Sequence, residues 1–460
     1  KLTATNIGTG VLDMKRLYTS STTGVKEILV IIGPTGALLL EDGTPLLNES
    51  GGYVLLETFL LTTVAFAVVV DTSGFLVVDN QFGYAISSTG IIQINPKTGA
   101  TATVVASAGT IPTGYKFGAM YRDRLLLSGF DNAIYGSAQG DITDWDLSKD
   151  ISDVNRACAF QLSMAGEVGP LPTALIAIED KVLLAASHTT LWRVHGDPTT
   201  GTMSRISANV GIVGSRAWCF VDDSIVFLAE DSLYQIGKDG SGLKAISDER
   251  IPESLANVDT STVKVLLEYD HKHRAIHIYL RTTGANDIHW LFELDGGGFW
   301  PMQFIDDNYS PVAICQYNGD LILCGADGYL RKCTGATDDG SNIESHVLLG
   351  PFQLGQGNFN GRVLNLHGNT ATSSANVTWN LVTGDTAEDA AANGKAAIEA
   401  AQAGTSYTSY VKATGTWTAG RNHVAYPRTR AIWAVLWLYS AGQWAFETAS
   451  MDAIVSGKWR

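Results

Sequence analysis

The chain has 460 residues, enough for two domains and a large core, and only 17% of them are charged. With 48 glycines, 12 prolines and 45% hydrophobic residues it reads as ordered β-protein, which excludes a disordered tail and a collagen-like fibre. The net charge of −15 argues against a protein that reads DNA sequence, because phosphate contacts need clustered lysine and arginine.

Residues 1–24 are expected to be a lead-in. No basic segment followed by an apolar one stands there, so a signal peptide is not expected, although the sequence begins at Lys1. From residue 25 short apolar runs alternate with turn signals. Ile28–Ile32 with Ala37–Leu40 and Tyr53–Leu56, then Phe66–Val70 with Phe75–Val78 and Ile91–Ile94, are two weaker members of a series. The longest apolar stretch, Val54 to Val70, is broken by Glu57 and threonines, so a spanning helix is not expected.

Five clearer copies follow. Each has an apolar strand, a polar turn, a second apolar strand, a break and an aromatic-led third strand. They begin at Phe117, Thr173, Arg216, Val263 and Val312, and their third strands begin at Ala133, Leu191, Leu233, Trp290 and Gly328. A repeat of roughly 40 to 55 residues with three or four short strands predicts the blades of a β-propeller, six or seven in number over residues 25–335. The continuous apolar runs suit strands buried on both faces between neighbouring blades.

After the turn cluster Cys333–Asn342 the rhythm stops. Residues 336–460 are expected to form a C-terminal β-sandwich-like module, with Val377, Trp379 and Leu381 on a buried face and Thr378, Asn380 and Val382 on a mostly polar one. A helix is expected over 385–403, capped by Asp385 with Glu388, weakened at Asn393-Gly394 and inserted at the surface. The last stretch interleaves tryptophan, tyrosine and arginine. Core tryptophans with stacked arginines are the plain reading, and an assembly interface of Arg421, Arg428, Arg430, Trp433 and Trp437 is the sharper one.

Motifs for chemistry are weak. The chain lacks G-x-S-x-G, H-E-x-x-H, a P-loop and a strand-linked GxGxxG, so no catalytic residue, cofactor or metal site is assigned. His271, His273 and His277 are read as a polar turn, and Asp338-Asp339-Gly340 as a turn without the remaining ligands of a calcium loop. Asp123, Asp180, Asp223 and Asp320 recur at the first hairpin of the repeat and are read as turn chemistry rather than as glycosidase carboxylates. Of the five cysteines, Cys158, Cys219, Cys315, Cys324 and Cys333, those inside strands are expected to be buried thiols in a reducing compartment.

Leu191–Pro198, Gly211–Ala217, Ile225–Ile236, Ile288–Leu294 with Gly298–Pro301, and Gly319–Leu330 resemble the propeller region of tail nozzle proteins of short-tailed bacteriophages. Tyr426-Pro-Arg and Gly457-Lys-Trp-Arg are also similar to phage tail proteins of that kind. The likeness covers residues 115–335; it does not match the helix and carries over no functional side chain. It implies a virion structural protein made in the host bacterial cytoplasm. Six copies would form a homo-oligomeric ring below portal and adaptor, touching fibre or other tail proteins. DNA would pass through without sequence-specific binding. The alternative is a propeller that binds or cleaves host-surface glycans.

Overall fold

The computed structural model describes residues 13–21, 24–33, 64–68, 75–79, 81–87, 90–95, 100–164, 167–247, 250–282, 287–304, 306–317, 319–333, 337–356, 359–427 and 429–458. The chain divides into two compact units, Lys1–Cys333 and Thr334–Arg460. No helix among the described residues is long and apolar enough to cross a membrane.

The first unit is a β-propeller. Five of its sheets are four-stranded antiparallel meanders, starting at Phe75, Phe117, Ala174, Trp218 and Val263, and the sheet that starts at Pro311 has three strands. A seventh sheet pairs Asp13–Ser21 with Gly24–Gly33, and adds Val64–Val68 in parallel. We number these blades 1 to 7 in chain order from Asp13. First strands of successive blades pack on one another, blades 4 and 5 share a core, and the first strand of blade 1 meets that of blade 7, which closes the ring. Met14, Leu29 and Ile31 of blade 1 share a core with Val312, Ala313, Cys315, Ile322, Cys324 and Leu330 of blade 7. Other clusters of Val, Ile and Leu fill the spaces between successive blades, as expected for strands with two buried faces.

Two expectations differ from the structure. Asp13–Ser21 belongs to blade 1 and is not a lead-in. Phe66 lies in the strand Val64–Val68 of blade 1, so blade 2 starts at Phe75; Ala37–Leu40 and Tyr53–Leu56 lie outside the described residues. Among the described residues the ring has seven blades, within the expected six or seven.

The second unit is a two-sheet sandwich. One sheet orders Ser345–Gln353, Trp433–Ser440, Val377–Gly384 and Val411–Trp417. The other has Phe359–Thr370 at its centre, Gly420–Ala425 and Arg430–Ala431 on one side, and Phe446–Lys458 on the other. Val377, Trp379 and Leu381 project at period two into the core between the sheets, where they meet Val363, Leu366, Trp417, Leu436 and Leu438.

The opposite face of the first sheet is not polar. The helix Ala387–Gln402 covers it, burying Val382, Val435 and Trp437 against Ala390 and Ala397. Thr386, not Asp385, caps this helix by accepting from the amide of Asp389 at 3.0 Å. The two residues that weaken the helix belong to this packing. Asn393 donates to the Thr383 carbonyl at 3.0 Å, and a Cβ on Gly394 would stand 2.9 Å from Val435 and 3.0 Å from Leu348.

Candidate functional site

The propeller axis is built from the first strands and the segments that lead into them. Period two puts Asp13 and Lys15 on one face of the blade 1 strand while Met14 enters the core. Asp13 receives the amide of Leu76 in blade 2 at 2.7 Å, and the Arg216 guanidinium just before blade 5 makes a close ion pair with it. Arg216 also donates to the Leu76 carbonyl at 2.8 Å and lies 3.7 Å above the ring of Phe75. Blades 1 and 5 are not neighbours in the ring, so this contact crosses the axis.

Lys15 stands 5.8 Å from the Trp218 ring, a second contact between blades 1 and 5. Lys264 in blade 6 donates to the Val312 carbonyl of blade 7 at 3.0 Å. Partial enclosure by protein and the neighbouring Arg216 bring Lys15 down to about 8. Burial raises the Asp13 carboxyl, but Arg216, Lys15, Lys264 and the Leu76 amide outweigh it and hold Asp13 below the usual range. Burial pushes Glu268 up. The Arg216–Asp13 ion pair thus bridges the axis, which suits a rigid closure of the ring.

Blade 6 holds a second polar group. His277 and His289 lie on adjacent strands with their rings stacked, Nδ1 of one 3.2 Å from Nε2 of the other, and the Tyr279 hydroxyl is 3.3 Å from the same Nδ1. Tyr279, His289 and Phe304 continue the stack. Burial drives His289 well below its ordinary value, so it is neutral in the fold. Asp270 sits 2.7 Å from His273 and 3.8 Å from His277; burial opposes its charge, but these partners and the Lys272 amide lower it. His271 instead packs edge-on against Tyr269, so the three histidines read as one turn separate. No group of three or more His, Cys, Asp or Glu among the described residues is arranged to hold a metal ion.

The repeated turn aspartates divide in the same way. Asp180 accepts the Arg122 amide at 2.7 Å, which ties blade 4 to blade 3, and Asp320 of blade 7 pairs with Lys272 of blade 6 and with Lys332. Asp123 adopts a φ of 57° in a tight hairpin turn, and Asp223 lies 3.5 Å from Lys238. Asp339 and Gly340, with φ of 46° and 90°, form the two-residue turn between Thr337–Asp338 and Ser341–Asn342. Cys158, Cys219, Cys315 and Cys324 are buried; burial takes Cys158 to about 11 and Cys324 to about 12, which leaves these thiols unreactive.

An open cleft of about 560 Å³ lies between blades 4 and 5. Glu179, Lys181, Arg193, His195, Lys238 and Asp239 supply most of its polar lining.

No family model and no curated protein matches the chain. Among solved structures, the extracellular domain of a one-component system protein from B. thetaiotaomicron is similar at 14% identity with a TM-score of 0.42, over 78% of this chain and 42% of that one. The chain therefore spans less than half the length of that protein. The WD40 β-propeller domain of Doa1 is similar at 12% identity with a TM-score of 0.36, over 72% of this chain and 96% of that one. Likeness at this level assigns neither family nor activity, and the propeller assignment rests on the seven sheets and their closure.

In the sandwich, the residues singled out from sequence do not form one surface. Trp437 is fully buried, stacked on Tyr439 and donating to His346 at 3.2 Å, which corrects its place in an accessible interface. Trp433 is half-buried beneath the helix, while Arg421 and Arg430 are exposed on the second sheet. Arg428 lies outside the described residues. Sequence reading missed Asp13, Arg216 and His289, whose partners are up to 203 positions away. The one local signal was a charged residue beside an apolar first strand.

Proposed function

We propose that this chain is a virion structural protein, a non-catalytic tail nozzle or tail tube subunit that assembles as a ring below portal and adaptor. The carrying observation is the axis of the propeller: Arg216 and Asp13 bridge it, so the domain serves as a solid strut. DNA then passes through a lumen enclosed by several subunits, not through any one propeller. A net charge of −15 suits such a wall, since like charges keep a polyanion from sticking. The resemblance of residues 115–335 to tail nozzle propellers supports the same role, with homohexameric assembly and fibre or other tail proteins as neighbours.

The test is native mass by light scattering together with negative-stain imaging, on the chain alone and with portal–adaptor complexes. Rings are expected in at least one condition. A persistent monomer that ignores both would sink the reading.

One observation favours a second reading, recognition of host-surface glycans. The cleft between blades 4 and 5 is lined by Lys181, Arg193 and Lys238 beside Glu179 and Asp239, with Lys181 paired to Glu179 at 3.1 Å, a mixed polar setting suited to sugar hydroxyls. Glycan-array binding lost on Arg193→Ala would support it, and an array with no signal would remove it.

A further inference from the structure

The two edges of the sandwich differ. At one edge the hairpin of Val411–Trp417 and Gly420–Ala425 passes from the first sheet to the second. Exposed Lys412, Arg421 and Arg430 make this edge basic. Between Gly420–Ala425 and Arg430–Ala431 the chain bulges, and Tyr426 stands out with 61% of its surface exposed. Its φ is 49°, a left-handed conformation held by its amide, which donates to the Leu364 carbonyl at 2.6 Å, and Arg362 lies 5.9 Å from its ring.

At the far edge the strands Ser345–Gln353 and Phe446–Lys458 end the two sheets and do not pair with each other. The sheets part there over an open groove of about 420 Å³ lined by Pro351, Phe352, Leu354, Leu436, Ala449 and Met451. Exposed Glu344, Glu447 and Asp452 border this edge; Asn369 and Asn365 on the central strand hold Glu447 and Asp452 in place.

We infer that the far-edge groove receives the Tyr426 bulge of a second copy of this chain, the basic edge of one sandwich lying against the acidic edge of the next. The inference rests on the ring-forming reading above and gives it a contact surface. Opposite edges with complementary charge, one with an aromatic knob and one with an apolar groove, make a head-to-tail contact, which closes into a ring when the rotation between successive copies closes. Tyrosine beside arginine is the composition of an interface anchor.

Tyr426→Gly tests this in the full chain, with Met451→Arg blocking the groove. Glycine accepts a φ of 49°, so Tyr426→Gly is expected to hold or raise the melting temperature of the monomer while weakening self-association by about tenfold or more. Each variant alone is expected to be monomeric. Mixed, they still offer one intact knob and one intact groove, and native mass spectrometry should show a heterodimer that does not grow. If the parent forms rings and both variants form them equally well, this contact is wrong while the ring-forming reading stands. A parent that stays monomeric alone and with portal–adaptor complexes removes both. A Tyr426→Gly variant that melts lower and assembles normally would make Tyr426 a stability residue only.

Discussion

The propeller and the sandwich are both β-structures with apolar cores, yet they lock their sheets together differently. In the propeller, distant sheets meet through buried polar side chains. Arg124 of blade 3, with no exposed surface, donates to Asp197 of blade 4 at 3.0 Å and to the carbonyls of Ser137, Arg156 and Val154 at 2.6 to 2.9 Å. The Tyr121 hydroxyl reaches the carbonyls of Lys181 and Gly196, and Arg216 joins blades 5, 1 and 2. In the sandwich the same task falls to shape: Trp379 and Trp417 between the sheets, and Val435 and Trp437 under the helix. Seven separate sheets must each take a fixed angle to the next, and directional hydrogen bonds set that angle. Two facing sheets and a helix need only fit.

The largest expected effect tests the polar half of this contrast. Arg124→Met keeps the apolar stem but removes the cation that pairs with Asp197 and the donor to the Ser137 and Arg156 carbonyls, while Thr199 still donates to Asp197 and to the Val154 carbonyl. A loss of about 3–5 kcal/mol is expected in urea unfolding of the propeller transition. A loss below about 1 kcal/mol would mean that these bonds follow blade packing and do not set it.

Gly394→Val tests the apolar half. Its side chain would press on Val435 and Leu348 and lift the helix from the sheet, at an expected cost of about 2–3 kcal/mol to the sandwich transition. An unchanged or raised stability, as helix propensity alone predicts, would show that the helix is not seated through this glycine.

The same contrast explains what the sequence made legible. Blades were readable because strand, turn and strand are local and repeat, and Val377, Trp379 and Leu381 were readable as a core face because their period is two. The covered face of that sheet was not, since Asn380 and Val382 look half polar until the helix is laid over them. Asp13–Ser21 looked like a leader because its partner across the closing seam, blade 7, lies some 300 positions away. Of the site, the turn aspartates were visible as turns, but their inter-blade bonds depend on ring closure, which no local pattern records. Arg421 and Arg430 were found as surface arginines; Tyr426 stands out only through its φ and exposure.

Acid separates the modules more gently. His289 is neutral in the fold and has a depressed pKa, so at neutral pH it costs nothing, and as pH falls below the unfolded value near 6.5 the unfolded chain alone takes up the proton. Propeller stability should therefore drop by up to about 1.4 kcal/mol per pH unit from this group between pH 6.5 and 5. His289→Phe, which can stack between Tyr279 and Phe304, should make that slope shallower by about one proton. Asp13 and Asp270 act in a lower window: their folded pKa values are depressed, so their stabilisation is present above about pH 4 and is lost as pH falls further. In the sandwich, His346 is lowered by burial and works in the same direction as His289, so His289→Phe should leave the acid slope of that module unchanged. A change in both slopes would mean that the two units do not titrate independently.

The smallest effect concerns how the helix begins. Thr386→Ala removes the acceptor for the Asp389 amide, and about 1 kcal/mol of sandwich stability should go with it. Asp385→Ala removes a carboxylate one position before the cap and should change stability by no more than about 0.5 kcal/mol. The sequence permits either residue as cap, since aspartate and threonine both accept from a first-turn amide. What decides is the strand before them: Val377–Gly384 runs in register with Trp433–Ser440 to its last residue, and Thr386 takes the extended cap geometry while Asn393 one helical face later ties back to Thr383. If Asp385→Ala is the costlier substitution, the helix starts one residue earlier in solution, with Asp385 rather than Thr386 accepting from its first turn.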